Sequence, residues 1–156
     1  PIIMKLKFIS KKTENILISS FGAFICMFLI AYINNSDDTN IWLIPPFGAS
    51  LVLVMAVYDS PLAKPRNVFF GHILSAASGV LVFYFLGNSS LSIGLGVALA
   101  IMIMLVTNTI HPPAGANPVI AIIGAKSFEF VIMPVAIGAL FIVIFALAYN
   151  KLMKRT

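Results

Sequence analysis

Charge is what this chain has least of. Only 10% of its 156 residues are Asp, Glu, Lys or Arg, where about 25% is usual in a soluble domain. Its hydrophobic share is 60%, and a soluble chain could not cover such a core with so few polar side chains. Apolar runs of about 18 residues recur, so the composition excludes a soluble globular domain and points to a polytopic membrane protein. Acids are especially few: Glu14, Asp37, Asp38, Asp59 and Glu129, all at the ends of apolar segments. With no Asp or Glu deep in any span, no carboxylate relay for protons or sodium is visible. Cysteine occurs once, as Cys26 inside the first apolar run. It can form no intrachain disulfide and reads as a small buried filler. There is no P-loop, no zinc-ligand spacing and no Ser/His/Asp arrangement. An enzyme is not expected, and neither is a metal or cofactor.

The basic residues are grouped rather than spread. Lys5, Lys7, Lys11 and Lys12 come first, then Lys64 and Arg66, then Lys151, Lys154 and Arg155. The net charge of +5 therefore reads as the positive-inside pattern of a membrane protein and not as a nucleic-acid surface. Residues 1–15 form a basic, partly amphipathic segment suited to the cytoplasmic leaflet. The beginning imitates a signal peptide, but Ile16 to Ile33 outruns the ~7–15 residues of a signal core and no Ala-x-Ala site follows. It is read as a retained helix. Since the first residue is Pro1, the natural N-terminus is expected to have been trimmed.

Six apolar segments follow one another: Ile16 to Ile33, Ile41 to Tyr58, Val68 to Leu86, Leu91 to Thr109, a short one from Pro113 to Ala125, and Phe130 to Tyr149 with a kink at Pro134. Four read as full transmembrane helices, and two are broken by paired prolines. The breaks share their wording. Pro45-Pro-Phe-Gly-Ala-Ser50 and Pro112-Pro-Ala-Gly-Ala-Asn117 keep Pro, Pro, Gly and Ala in register and end in a small polar residue. If all six segments cross, both termini are cytoplasmic and every basic residue but Lys126 lies inside. With two re-entrant loops instead, Lys64 and Arg66 move outside, which the charge rule favours less. Six crossings would make an all-α 3+3 inverted repeat, with halves at about 16–86 and 91–149 within a single membrane domain of residues 16–150. Residues 151–156 are a basic cytoplasmic tail. Gly71, Ser75 and Gly79 put a small-residue face on the third segment, open to close approach. Gly94 with Ala98 and Gly96 with Ala100 do the same on the fourth.

Broken backbone at membrane depth is tolerated only where protein buries it or where it lines a cavity. A helix that begins at Pro-Pro has unpaired amides in its first turn and the positive end of its dipole there. The expected anion site is the amides of Gly48, Ala49 and Ser50 with those of Gly115, Ala116 and Asn117, aided by the Ser50 and Asn117 side chains. His111 either binds the anion and gates, since its charge changes near neutral pH, or ties down the preceding helix end. His72, partly buried near the cytoplasmic end, suits a helix-to-helix hydrogen bond or a place on the pathway. Arg66 and Asn67 either recruit an anion at the mouth or serve topology and capping, and Asn108 belongs to the same group of pathway candidates.

These residues resemble the HPP family of integral membrane proteins, named for a His-Pro-Pro motif. The resemblance lies in Pro45 to Ser50, in Asp59-Ser-Pro-Leu-Ala-Lys-Pro-Arg-Asn67 running into Gly71-His72 and Ser75-Ala76, and in His111-Pro-Pro-Ala-Gly-Ala116. It covers about residues 15–150. The family is described as having four transmembrane helices, a count that omits the two broken segments. Its plastid and cyanobacterial members are associated with nitrite transport. The resemblance thus implies a transporter or channel for a small monovalent anion, nitrite first, in a bacterial inner membrane. The alternative from another class is a non-transporting membrane scaffold or assembly factor whose Pro-Pro motifs only pack helices. Six short segments make a thin wall for a pore, so a homodimer or larger homo-oligomer in the lipid bilayer is expected.

Overall fold

The computed structural model describes residues 2–36 and 42–155, with side chains from Lys11 onward. Among these residues the chain is helix and turn throughout. The polar loop expected at 34–40 falls mostly outside the described residues, as do the first side chains of the basic segment.

Helix α1 runs unbroken from Ile2 to Ser36, so the basic stretch is a helical extension of the first span and not a separate element. The first break starts α2 at Pro45, because both prolines fit the first turn, where no amide partner is needed. Helix α2 (Pro45–Leu51) runs on into a wider π-type turn, Val52–Ala56. A short 3-10 turn, Pro61–Ala63, leads into α3 (Pro65–Leu86), which ends at Gly87 with a positive φ of 66°. Helix α4 (Ser90–Val106) is started by the Ser89 hydroxyl, which accepts the Ser92 amide at 3.1 Å. Its end is a Schellman motif. Asn108 turns left-handed at φ 53°, the Thr109 amide returns to the Met104 carbonyl, and the Asn108 amide returns to Leu105. The second break is a 3-10 turn, Pro112–Ala116, followed by α5 (Asn117–Ile123). A π-type lead-in, Val131–Ala136, joins α6 (Ile137–Leu152), and the expected kink is there: Met133 leaves the helical region at φ −131°, ψ 119°.

Among the described residues, three helical stretches are long and apolar enough to cross a membrane: Lys11–Ser36, Pro65–Leu86 and Val131–Leu152. The fourth expected full span, α4, has 17 residues, the lower limit for crossing a hydrocarbon core. The two broken segments, Pro45–Ala56 and Pro112–Ile123, are shorter apolar helices.

Burial ranks the helices. Half of the α3 window is buried, against 17% of the α1 window, so α3 is central and α1 peripheral. Phe21, Phe24, Phe28 and Tyr32 stack along the open face of α1, as suits a lipid-facing surface. The small-residue face of α3 admits the second break, with α4 close beside it. A Cβ on Gly79 would collide with Pro118, and one on Gly71 would lie 2.9 Å from both the His111 Cβ and the Thr109 carbonyl. Gly96 of α4 meets Ile122 of α5, whereas Gly94 faces open space. Across the molecule, Gly138 of α6 accepts the ring of Phe47 from α2.

Candidate functional site

The second break lies along α3, and α3 satisfies its backbone. Arg66 Nη2 donates to the Thr107 carbonyl at 2.9 Å, Asn67 Nδ2 to the Ile110 carbonyl at 3.2 Å, and Ser75 Oγ to the Ala114 carbonyl at 2.5 Å. Asn67 also reaches the Pro61 carbonyl at 3.1 Å. Carbonyls that a regular helix would have paired are thus paired by side chains of the neighbouring helix. This gives Arg66 and Asn67 a definite place: they clamp residues 107–110 beside the start of α3. Asn108 ends α4 through its backbone and is exposed.

Where the two breaks meet α3, four polar side chains converge. Ser50 Oγ lies 2.8 Å from His72 Nε2 and 2.8 Å from His111 Nε2. Asn117 Nδ2 lies 3.0 Å from His72 Nδ1 and 3.0 Å from the His72 carbonyl. His111 Nδ1 lies 2.9 Å from the Leu62 carbonyl. The imidazole centroids are 5.0 Å apart, and Phe47 stands edge-on to His72 at 5.6 Å. Each of Ser50, His72, His111 and Asn117 is 0% exposed, so His72 is fully rather than partly buried and the cluster is occluded.

The partners fix the hydrogens. A carbonyl can only accept, so His111 donates from Nδ1 to Leu62, which leaves Nε2 as the acceptor of the neutral ring. The His72 carbonyl likewise orients the Asn117 amide with Nδ2 toward α3. Nδ2 then donates to His72 Nδ1, and His72 carries its hydrogen on Nε2. Ser50 Oγ also lies 3.1 Å from the Pro46 carbonyl of its own helix, so its one hydrogen is shared between Pro46 and His111 Nε2. With the hydroxyl turned to His111 the chain runs one way: Asn117 to His72, His72 Nε2 to Ser50 Oγ, Ser50 hydroxyl to His111 Nε2, His111 Nδ1 to Leu62. Asn117 Oδ1 is buried with no partner, the one loose end of the network.

The expected fan of free backbone amides is not what the breaks present. Pro45, Pro46, Pro112 and Pro113 have no N–H, and the next amides, Phe47 and Ala114, return to the Ile44 and His111 carbonyls at 3.1 Å and 3.0 Å. Gly48, Ala49 and Ser50 lie past the unpaired first turn of α2, and the Asn117 amide returns to Ala114. Ala49 and Ala116 point outward as exposed residues, and Gly48 and Gly115 are half-buried. Of the residues marked in the sequence, Ser50, His111, Asn117 and His72 come together as side chains. Ser75 and Gly71 were read only as small, though one pairs the break and the other makes room for His111. The signal for Ser75 was its place one turn after Gly71 on the same face.

A cavity of about 640 Å³ opens beside the first break, lined by Ile44, Pro45, Ile120, Lys126 and Glu129 among others. A smaller one of about 120 Å³ lies near the other loop, beside Ala63, Lys64 and Asn150. No group of three or more His, Cys, Asp or Glu that could hold a metal occurs among the described residues.

A family model described as the HPP transmembrane region matches residues 9–156. Two transmembrane proteins of Dictyostelium discoideum are similar, at 36% and 35% identity over 146 residues, or 88% of this chain. The matches cover 51% and 47% of those proteins, so the chain spans about half the length of the curated relatives it matches. No solved structure matches.

Proposed function

The chain belongs to the HPP family of integral membrane proteins, and from the geometry of its buried cluster we propose that it carries a small monovalent anion across the membrane. The observation that carries this reading is the convergence of both Pro-Pro breaks on one cluster that holds hydrogen-bond donors and imidazoles but no carboxylate. A cation there would find no counter-charge. An anion would find the Ser50 hydroxyl, the Asn117 amide and two rings able to become cationic. The site is therefore assigned to the side chains of Ser50, His72, His111 and Asn117, with Gly48, Ala49, Gly115 and Ala116 as the backbone around it.

The cavity beside Lys126 serves as one vestibule, and the loop held by Arg66 and Asn67 as the other mouth. Access alternates, since the cluster is closed in this conformation. The two breaks match in place and length, Pro45–Ala56 and Pro112–Ile123, which supports six crossings arranged as an inverted repeat. Nitrite is the leading substrate, from the resemblance to plastid and cyanobacterial members. Both termini are assigned to the cytoplasm of a bacterial cell, and the working form is a homo-oligomer.

One observation favours a scaffold instead: complete burial is also what an inert packed network would show. Accessibility separates the two. With Cys26 replaced by Ala, Asn117→Cys should react with a small membrane-impermeant thiol reagent, and nitrite should slow the reaction. A folded variant that never reacts would favour packing alone.

A further inference from the structure

The carboxylates that drive most coupled transporters are missing from the spans, yet the cluster holds an uninterrupted hydrogen-bonded path. Its members come from three elements: Ser50 from α2, His72 from α3, and His111 and Asn117 from the second break. The links are 3.0, 2.8, 2.8 and 2.9 Å, from Asn117 to His72, Ser50, His111 and the Leu62 carbonyl. When the Ser50 hydroxyl turns from the Pro46 carbonyl, 3.1 Å away, to the nearer His111 Nε2, each interior member both donates and accepts, as a path of proton hops requires. The path spans the site. At one end is the buried Asn117 amide, whose Oδ1 is unpartnered. At the other is the 61–63 turn, where Leu62 is partly exposed.

We infer that Ser50 links His72 and His111 into a proton relay, and that the anion crosses together with one proton. This rests on the reading of the chain as an anion transporter and adds the coupling ion. The hops balance. A proton bonds to His72 Nδ1, displacing the Asn117 amide from it. The Nε2 proton of His72 passes to Ser50 Oγ as the hydroxyl proton passes to His111 Nε2. His72 is again neutral, now with its hydrogen on Nδ1, Ser50 is again a hydroxyl, and His111 is an imidazolium. The anion pairs with that imidazolium. Water at the opened Asn117 end supplies the incoming proton, water at the Leu62 end takes the Nδ1 proton, and both rings and the Ser50 hydroxyl then turn back to their starting tautomers. No redox partner is needed. The titratable group facing each ring is the other ring, 5.0 Å away, so like-charge repulsion keeps the pair to one extra proton. Phe47, Ser50 and Asn117 complete the surroundings of the rings. Among the described residues no carboxylate, Lys or Arg is hydrogen-bonded to either ring, and Arg66 is engaged on the Thr107 carbonyl.

One proton with one monovalent anion is electroneutral, and this decides the test. Nitrite entry into proteoliposomes is followed under an inward proton gradient alone, and under an inside-positive potential set by potassium and valinomycin alone. Protein-free liposomes are subtracted to remove leakage of nitrous acid. The relay predicts entry driven by the proton gradient, tending to about tenfold accumulation per pH unit, and unresponsive to potential. Ser50→Ala should abolish the gradient-driven component, and Ser50→Thr, which keeps the hydroxyl, should retain part of it. Wild-type entry that follows the potential and ignores the proton gradient overturns the relay while leaving anion transport standing. Gradient-driven entry that persists undiminished in a folded Ser50→Ala also overturns it. No entry of nitrite, nitrate, formate or chloride above the protein-free rate overturns both readings.

Discussion

Gly71 is the residue on which the site geometry turns. A methyl group there would sit 2.9 Å from the His111 Cβ and from the Thr109 carbonyl, too close for either to stay. Gly71→Ala should therefore move His111 off Ser50 and cut transport by more than tenfold, at a stability cost of about 1–3 kcal/mol. Gly94→Ala is the control: nothing lies within 4 Å of the added atom, so folding and transport should stay close to wild type. Thermal unfolding in detergent and uptake by the reconstituted variants check both outcomes. The motif residues Ser50, His111 and Asn117 were legible as site candidates because paired prolines inside an apolar run are unusual. Their union with His72 was not. Ser50 is 22 residues from His72 and 61 from His111, and no local spacing encodes a contact across that distance.

At the scale of elements, α3 works as a splint for the second break. Its Asn67 amide holds the Ile110 carbonyl, and its Ser75 hydroxyl adds a second donor to the Ala114 carbonyl. Ser75→Ala should leave the Ala114 carbonyl with the Asn117 amide as its remaining donor, at about 0.5–1.5 kcal/mol, and should lower the unfolding temperature without removing His111 or Ser50. A variant as stable as wild type would show that the break is held by packing alone. Element positions followed the apolar runs closely. Ends differed where side chains and turns decided them: α4 stops at Val106 through its Schellman cap, and the broken segments became mixed 3-10, α and π-type turns. Close approach along Gly71 and Gly79 was readable as a small-residue face. That a broken segment would enter it, beside α4, was not.

For the whole molecule, charge placement and size matter more than any single contact. Lys126 lines the larger cavity together with Glu129, and reversing its charge should reduce capture of an anion from dilute solution. Lys126→Glu should slow initial uptake severalfold at low ionic strength, with the gap closing as salt screens the vestibule over about 10 Å at 0.1 M. Equal slowing at all salt concentrations would take the vestibule away from Lys126. The open aromatic face of α1 and the small cross-section predict a homodimer or larger assembly, and a detergent-corrected mass of one chain would count against it.

The most direct test of the central claim is initial nitrite uptake into proteoliposomes at neutral pH, with nitrate, formate and chloride as competitors. Wild type is compared with Asn117→Leu, which removes the amide that closes the cluster onto His72. Uptake above protein-free liposomes is expected in the wild type, and its loss in a monodisperse, folded Asn117→Leu. A folded wild type that moves none of the four anions, or an Asn117→Leu that transports as well as wild type, would contradict it.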